Sequence, residues 1–287
     1  MNCQKYLITL VNKLRLNRSD ISLNQAFLEV RLLVSFVMKI SIDQLYFQEK
    51  LMINSRQKNK INKLIQMRID HHPIAHLTCC REFYGEKFIV NSNVLDPRAD
   101  SESLIELVIQ NYSDLSVQYN FLELGVGSGC LIISLLKHYQ NSIGLGVDIS
   151  QLALKIAKKN AKKFNLNERI KFKISDLFSK VSPTKKFAII ISNPPYIPSK
   201  QIDQLQIEVA KYEPRIALDG GIDGLDFYRK IAMQAKNYLT KNGSIFLEIG
   251  FNQEQAVIKI FEQYNFKLIA KKNDLANITR ALHFRCC

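Results

Sequence analysis

The sequence predicts an α/β protein in which a mostly parallel sheet follows an N-terminal helical bundle. Residues 1–75 carry apolar side chains at helical spacing and contain no glycine. From about residue 118, short apolar runs alternate with helical patterns, which is typical of a parallel sheet with helices on both faces. Residues 76–100, between these regions, have the pattern of a short hairpin and an extended segment. A chain of 287 residues is long enough for two domains.

The helical bundle is predicted from three apolar repeats. Asp20, Ser22 and Ser41 are candidate helix starts, because short polar side chains can accept hydrogen bonds from backbone N–H groups. The apolar positions at helical spacing are Leu7, Leu10, Val11 and Leu14, then Leu33, Phe36, Val37 and Ile40, then Ile61, Leu64 and Ile65. This region contains no catalytic constellation, so we expect it to serve in docking or substrate recognition.

The linker is predicted from its turn residues. The run from Arg81 to Val90 has the pattern of a short hairpin with Gly85 near the turn. Pro97 biases its predecessor away from helical backbone, so the segment 94–98 is expected to be extended. A helix is predicted over 101–111.

The sheet is predicted from five strand-like runs. The tail, residues 266–284, is expected to add a terminal antiparallel pair. In such sheets, ligands bind at the carboxyl ends of the strands. The five runs are Asn120–Leu124, Ile143–Val147, Ile170–Ile174, Phe187–Ile191 and Ser244–Ile249.

The net charge of +14 has two interpretations. It is typical of proteins with an acidic partner, either nucleic acid or protein. It also follows from a composition in which lysine is abundant throughout the chain, and charge alone does not decide between them. No apolar run approaches the roughly 20 residues that a membrane span needs, and the N-terminus lacks the features of a signal peptide.

The cysteine pattern favours a reduced, cytoplasmic setting. The chain has six cysteines and no CxxC motif, which fits neither a disulfide framework nor a zinc ribbon. His71, His72 and His76 precede Cys79 and Cys80, but a second half of a metal site is missing. We therefore interpret this stretch as a polar linker and expect no metal.

A glycine-rich turn follows the first strand and opens a helix. Its residues are Gly125, Val126, Gly127, Ser128 and Gly129. Such a turn lets a ligand approach the backbone closely. At the end of the next strand, an acidic side chain can accept hydrogen bonds from both hydroxyls of a ribose, and Asp148 is at that position. The pair predicts a nucleoside ligand.

Two nucleoside cofactors compete for this turn, NAD and S-adenosylmethionine. The NAD fingerprint requires glycine or alanine where this chain has Cys130. Glu123, at the end of the first strand, would repel a pyrophosphate but attract a cationic amino-acid tail. Because S-adenosylmethionine carries an ammonium and a sulfonium but no phosphate, the charge favours it.

Asp176 and Leu177 follow the third strand. Asp176 can accept a hydrogen bond from an adenine amino group, and Leu177 can cover the ring. Alternatively, Ser175 and Asp176 only cap a helix. Beside the glycine-rich turn, we favour the cofactor interpretation.

The fourth strand leads into Asn193, Pro194, Pro195 and Tyr196. The Asn193 side-chain oxygen and the Pro194 carbonyl can each accept an N–H of a planar NH₂ group, against which Tyr196 can pack. These contacts would free the nitrogen lone pair and direct it at a methyl donor, so the main contribution is proximity and orientation. The motif alone does not decide between adenine and a carboxamide as the acceptor.

The sequence resembles the HemK-type protein-(glutamine-N5) methyltransferases, the bacterial release factor glutamine methyltransferases. The likeness covers nearly the whole chain, and it extends beyond the Asn-Pro-Pro-Tyr stretch that adenine-N6 methyltransferases share. The residues that carry it are Pro73–Thr78, Arg81–Gly85, Tyr212–Gly221, Asp223–Tyr228, Leu247–Gly250 and Asn252–Gln253.

The resemblance implies a class I S-adenosylmethionine-dependent methyltransferase, with a Rossmann-like, mostly parallel sheet. It implies a helical recognition domain over 1–75, a hairpin linker over 76–100 and a methyltransferase domain over 101–287. It implies that the acceptor is the glutamine amide in the Gly-Gly-Gln loop of peptide chain release factors. A monomer is expected, with no stable nucleic-acid partner and no membrane.

The resemblance also implies roles for individual residues. Cofactor contacts fall on residues 125–129, Asp148, Leu177 and Asn193, and substrate contacts fall on residues 193–196, with Arg98 as a further candidate. The chain departs from the family at Cys79-Cys80, where Gly-Glu is usual, and at Asp96 and Ala99, which flank Pro97-Arg98 where apolar and proline residues are usual. Glu123 replaces the commoner aspartate and keeps its charge.

Two other functions remain as alternatives. An adenine-N6 DNA or RNA methyltransferase would use the same chemistry, and the net charge favours it slightly. The absence of a base-reading domain and the stretch 213–228 argue against it. A non-catalytic binding protein with this fold would be expected to lose the asparagine or the glycine-rich turn, and this chain keeps both.

Overall fold

The structure is a computed structural model that describes residues 3–47 and 52–286. Its chain divides into two compact units. The first unit comprises Met1–Cys80 with Gln206–Tyr212, and the second comprises Arg81–Leu205 with Glu213–Cys287.

Helices and strands follow one another in the order that the sequence patterns predict. The helices are α1 (Cys3–Asn17), α2 (Leu23–Met38), α3 (Ile42–Phe47), α4 (Ser55–Ile69), α5 (Ile74–Thr78), α6 (Glu102–Asn111), α7 (Cys130–His138), α8 (Gln151–Lys163), α9 (Ile207–Tyr212), α10 (Asp226–Ala235) and α11 (Glu254–Glu262). The strands are β1 (Cys80–Phe83), β2 (Glu86–Ile89), β3 (Asn120–Leu124), β4 (Ile143–Asp148), β5 (Ile170–Ile174), β6 (Phe187–Ser192), β7 (Leu239–Glu248), β8 (Phe266–Asn273) and β9 (Thr279–Cys286).

The first unit is a helical bundle, as predicted. Leu10, Leu14 and Ile61 are buried in its apolar core. Ser22 caps α2, and its hydroxyl accepts a 3.1 Å hydrogen bond from the Gln25 N–H. Asp20, a second candidate cap, instead pairs with Arg18. In the described part of this unit there are three further helices, α3, α5 and α9, which are too short to show a helical repeat in the sequence.

Buried ion pairs join α9 to the bundle within this unit. The Arg68 side chain is only 1% exposed, and its guanidinium lies 2.7 Å from both Glu29 and Glu208. Arg18 binds Glu208 at 2.8 Å and also pairs with Asp20. Moving α9 away would leave the buried Arg68 with a charge that is only partly compensated, which is destabilising. These contacts therefore hold α9 in the bundle.

The cysteine that departs from the family pattern at residue 79 has left-handed backbone. Cys79 ends α5 with φ of 53°, and its N–H donates to the Ala75 carbonyl. Glycine adopts this conformation with less strain than a residue with a Cβ. The glycine that the resemblance predicts at this position would therefore fit the backbone with less strain than Cys79.

The second unit contains the predicted mostly parallel sheet, with strand order β5-β4-β3-β6-β7-β9-β8. The first five strands in this order run parallel, whereas β9 and β8 form the predicted antiparallel pair beside β7. Buried apolar clusters cover both faces of the sheet. The start of β7 at Leu239 was predicted five residues too late, because the polar segment 240–243 contains a glycine and has the composition of a turn.

The hairpin of β1 and β2 turns at Tyr84 and Gly85, which have φ of 50° and 72°. Asn160 on α8 connects β2 to the glycine-rich turn. Its amide exchanges hydrogen bonds with the Ile89 backbone at 2.7 and 2.9 Å and donates to the Ser128 carbonyl at 2.9 Å. The hairpin thereby supports the loop that follows β3.

Within residues 3–47 and 52–286, no helix combines the length and the apolar character required to cross a lipid bilayer.

Candidate active site

A cavity of about 320 Å³ opens at the carboxyl ends of the parallel strands in the second unit. It lies where β3, β4, β5 and β6 end, the position at which such sheets bind ligands. Most of the sequence-predicted site residues line it: Arg98, Glu123, Gly125, Val126, Gly127, Ser128, Asp148, Asp176, Leu177, Asn193 and Pro195. Among the described residues, Gly129, Pro194 and Tyr196 were also predicted but lie outside this wall.

The glycine-rich turn needs its three glycines because all of them have left-handed backbone. Gly125, Gly127 and Gly129 have φ of 68°, 52° and 80°. The Val126 N–H donates to the Val147 carbonyl at 2.9 Å, which holds the turn against β4. The turn then continues into α7, and Ser128, Cys130 and Leu131 at this junction line the cavity.

Asp148, at the end of β4, already holds the backbone around it. Its two carboxylate oxygens accept hydrogen bonds from the Gly127 N–H at 2.9 Å and the Ser150 N–H at 2.8 Å. Burial raises the pKa of this carboxyl above its ordinary value, although these hydrogen bonds oppose the shift. Each oxygen keeps a further lone pair, so Asp148 can orient the turn and still accept from a ligand hydroxyl.

Glu123, at the end of β3, is 2% exposed. Its carboxylate accepts a 3.0 Å hydrogen bond from the Ile132 N–H near the start of α7. Burial raises its pKa well above the ordinary value, and the neighbouring charge of Asp148 adds to the shift. Two carboxylates in one wall favour a cationic ligand and disfavour a phosphate.

Replacing Glu123 by glutamine is expected to increase the free energy of unfolding at neutral pH. The pKa of Glu123 is higher in the folded protein than its ordinary value of 4.5. Its contribution to stability is therefore fully present below that pH and is lost as the pH rises. Glutamine cannot ionise, so the stability advantage of Glu123→Gln over the wild type should grow with pH.

Denaturant unfolding at about pH 4 and about pH 8 measures this difference. Glu168→Gln, at an exposed glutamate, is the matched control and should follow the wild type at both pH values. An identical pH dependence for Glu123→Gln and the wild type would contradict the burial argument.

Asp176 and Leu177 both line the cavity after β5. Leu177 has φ of 44°, a left-handed conformation that is strained for a leucine. The Ser175 hydroxyl stabilises this turn, since it donates to the Leu177 carbonyl at 2.7 Å and accepts from the Lys180 N–H at 2.9 Å. Ser175 therefore closes the turn, and the Asp176 side chain is not needed to cap it.

The stretch 193–196 begins directly after β6. The Asn193 Nδ2 donates to the Ser101 hydroxyl at 3.0 Å, which leaves the Oδ1 atom for a group in the cavity. Pro194 is buried, and the Tyr196 hydroxyl donates to Glu248 at 3.3 Å. Burial raises the pKa of the Tyr196 hydroxyl, and the charge and hydrogen bond of Glu248 raise it further. Tyr196 is thus fixed behind the asparagine.

Residues 218–224 hold the backbone of this stretch from the other side. Ile197 exchanges backbone hydrogen bonds with Leu218 at 3.0 Å and with Gly220 at 2.9 Å. A Cβ at Gly220 would lie 2.8 Å from the Pro195 carbonyl oxygen, so only glycine permits this close approach. The Gln253 Nε2 also donates to the Tyr196 carbonyl at 2.9 Å.

Arg98 lines the cavity, and its positive charge is balanced by Glu213. Its guanidinium donates to both oxygens of Glu213, at 2.6 and 2.8 Å. The Glu213 side chain is only 2% exposed. This ion pair, in which the single nitrogen Nη2 donates to both carboxylate oxygens, stabilises the cavity wall next to Pro214, Ile216 and Ala217.

Three polar residues that support the site had no role in the sequence-based prediction: Ser101, Glu248 and Gln253. Each contacts the stretch 193–196 either directly or through one hydroxyl. Glu248 and Gln253 belong to motifs that carry the family resemblance, which is the signal that could have found them. Ser101 appeared only as the predicted start of a helix.

Comparisons with known proteins match both the methyltransferase region and the N-terminal helical region. The family profile described as Methyltransferase small domain matches residues 98–212. The profile described as PrmC N-terminal domain matches residues 13–78.

Curated relatives of two kinds match the chain. A Rickettsia typhi protein named bifunctional methyltransferase is 39% identical over 285 residues, which cover 93% of this chain and 54% of that protein. The chain thus spans about half the length of that relative. A Thermodesulfovibrio yellowstonii protein named release factor glutamine methyltransferase is 38% identical over 255 residues, covering 88% of this chain and 90% of that protein.

The fold matches a solved structure as well. A Pyrococcus furiosus methyltransferase superposes with a TM-score of 0.51 at 17% identity, covering 77% of this chain and 96% of that one. At this identity the likeness concerns the fold alone, and it agrees with the class I methyltransferase sheet predicted from the sequence.

Proposed function

Since the chain belongs to the release factor glutamine methyltransferase family, we propose that it methylates the glutamine amide of the Gly-Gly-Gln loop in peptide chain release factors, with S-adenosylmethionine as donor. The observation that carries the proposal is the Asn193 amide at the cavity. Its Nδ2 is bound to Ser101, so its Oδ1 is available to an acceptor N–H. The relatives named release factor glutamine methyltransferase, matched over most of their length, support the substrate.

The acidic side chains of the cavity fit the proposed donor. Glu123 and Asp148 place two carboxyl groups in this cavity, and a bound ammonium or sulfonium would favour their ionised forms, whereas a diphosphate would oppose ionisation. Asp148 is the group expected to bind the ribose hydroxyls, with Asp176 and Leu177 at the adenine. When bound, S-adenosylmethionine supplies an electrophilic methyl group.

The residues of the chain would hold the acceptor amide. The Asn193 Oδ1 would accept one of its N–H groups. The Pro194 carbonyl is proposed to accept the second, although Pro194 itself lies behind the cavity wall, and the two contacts would turn the nitrogen lone pair towards the donor. No strong base is needed before attack, because the nitrogen becomes acidic only as it gains the methyl group. The catalytic contribution of the chain is therefore mainly proximity and orientation. Tyr196 and Gln253 keep this loop in place.

The direct test is mass spectrometry of a release factor incubated with the protein and S-adenosylmethionine. We expect the Gly-Gly-Gln peptide to gain the mass of one methylene group, with the modification on the glutamine side chain. A release factor that carries glutamate in place of this glutamine is the matched control and should gain nothing. Methylation at another peptide, or of adenine in an oligonucleotide under the same conditions, would overturn the proposed substrate.

A further inference from the structure

A buried carboxylate lies behind the asparagine, at the end of β7. Glu248 is 1% exposed, and the pairing of β7 with β6 and β9 fixes its backbone. One carboxylate oxygen accepts a short hydrogen bond from the Ser101 hydroxyl, and the other accepts from the Tyr196 hydroxyl at 3.3 Å. Ser101 in turn contacts the Asn193 Nδ2 at 3.0 Å. Glu248 is therefore connected to the asparagine through a single hydroxyl.

The order of donors and acceptors in this chain is determined by chemistry. An ionised carboxylate only accepts hydrogen bonds, whereas a serine hydroxyl has one proton to donate. When the Ser101 hydroxyl donates its hydrogen bond to Glu248, the Ser101 oxygen can only accept a hydrogen bond from the Asn193 side chain. The Asn193 amide must then turn its NH₂ towards Ser101 and its carbonyl oxygen towards the cavity. This is the amide orientation that can accept an N–H from a bound glutamine.

We propose that Glu248 is a positioning residue that acts through Ser101 to hold the Asn193 amide with its oxygen towards the acceptor nitrogen. This inference rests on the proposed function and adds a residue to it. Glu248 does not touch the substrate. Its ionised state selects one of the two orientations of an amide whose ends have nearly the same shape.

Protonation of Glu248 removes this selection. A protonated carboxyl can donate to Ser101, which then becomes able to donate to the Asn193 Oδ1 and to turn the NH₂ towards the cavity. An Asn193 NH₂ group that faces the cavity cannot accept a hydrogen bond from the N–H of the substrate amide. The asparagine would then lose its productive contact although no atom has been removed.

The surroundings bring this protonation into the physiological range. Burial raises the pKa of Glu248 to about 7, while hydrogen bonds from Ser101 and Tyr196 and the positive charge of Arg280 oppose the shift. The other charged and titratable groups that face it are Asp100, which itself pairs with Arg280, and Tyr228 and Cys130. Because the ionised form is the productive one, the rate of methyl transfer should rise with pH through about 7.

Glu248→Gln, Ser101→Ala and the double variant test the proposal. Glutamine can donate to Ser101 as the protonated acid does, and alanine breaks the connection. Each single variant is expected to lower kcat for a Gly-Gly-Gln substrate by about 10-fold, and the acidic limb of the pH profile should disappear. The double variant should lose little more than either single one, since both changes interrupt the same connection. Glu262→Gln, at an exposed glutamate of α11, is the matched control and should keep the wild-type profile.

A second measurement does not depend on turnover. The side-chain ¹⁵N–H signals of Asn193, assigned by their loss in Asn193→Ala, should shift with pH around 7 in the wild type and remain unchanged in Glu248→Gln. Losses that add in the double variant, or an acidic limb and an Asn193 titration that persist in Glu248→Gln, would overturn the proposal. A wild-type protein that shows the Asn193 titration but methylates no release factor would instead contradict the proposed function. Thermal unfolding identifies any variant that fails to fold.

Discussion

Replacing Asn193 by alanine is expected to lower kcat for methylation of a release factor by about 10²-fold or more. The substitution removes the Oδ1 atom that is proposed to accept the substrate N–H, so the acceptor nitrogen is no longer directed at the methyl group. Cofactor affinity should fall much less than kcat, because the carboxyl groups of Asp148 and Glu123 remain although Asn193 is also an expected cofactor contact. Single-turnover kinetics and calorimetry with S-adenosylhomocysteine measure the two effects separately.

Two results would contradict this role of Asn193. Unchanged turnover would show that the amide does not direct the acceptor. An equal loss of cofactor affinity and rate would show that the residue shapes the donor site instead. Asn167→Ala, at an exposed asparagine after α8, is the matched control and should behave as the wild type. Asn193→Ala leaves the contact between Ser101 and Glu248 in place, so its effect on folding should be small.

Features that depend on neighbouring residues could be predicted from the sequence. The glycine-rich turn and Asp148 are recognisable because each follows an apolar strand, and parallel strands bring their carboxyl ends to one edge of the sheet. In the structure Asp148 lies beside Gly127, and both residues line the same cavity as Asn193. The strand β3 and the terminal antiparallel pair were predicted for the same local reason, from apolar periodicity.

Features that depend on distant pairs could not be predicted. Ser101 and Glu248 are 147 residues apart, and Arg98 and Glu213 are 115 residues apart. No local period connects such residues, because their contact arises only when helix α6 and the loops pack on the sheet. The role of Asp148 as a backbone acceptor was missed for a related reason, since it depends on the left-handed conformation of Gly127. The resemblance marked several of these residues without giving their contacts.

Replacing Asp148 by alanine is expected to weaken cofactor binding by roughly 1–3 kcal/mol, or about 5- to 150-fold in Kd. The loss has two possible causes in this structure. The carboxylate is proposed to accept from the ribose hydroxyls, and it also holds the Gly127 and Ser150 N–H groups. A comparison of two ligands separates these causes, namely S-adenosylhomocysteine and its 2′-deoxy counterpart.

If Asp148 binds the ribose, the wild type should discriminate strongly between these ligands, and Asp148→Ala should bind them almost equally. If the residue acts only by holding the glycine-rich turn, the variant should lose the same factor with both ligands, and the ribose assignment would be wrong. Asp176→Ala, at the other aspartate of the cavity wall, is the matched control, because it is assigned to adenine and should keep the wild-type discrimination. Removing the ligand 2′-hydroxyl and removing the Asp148 carboxylate have non-additive effects only when the two groups contact each other. The difference between the combined loss and the sum of the single losses therefore measures this contact.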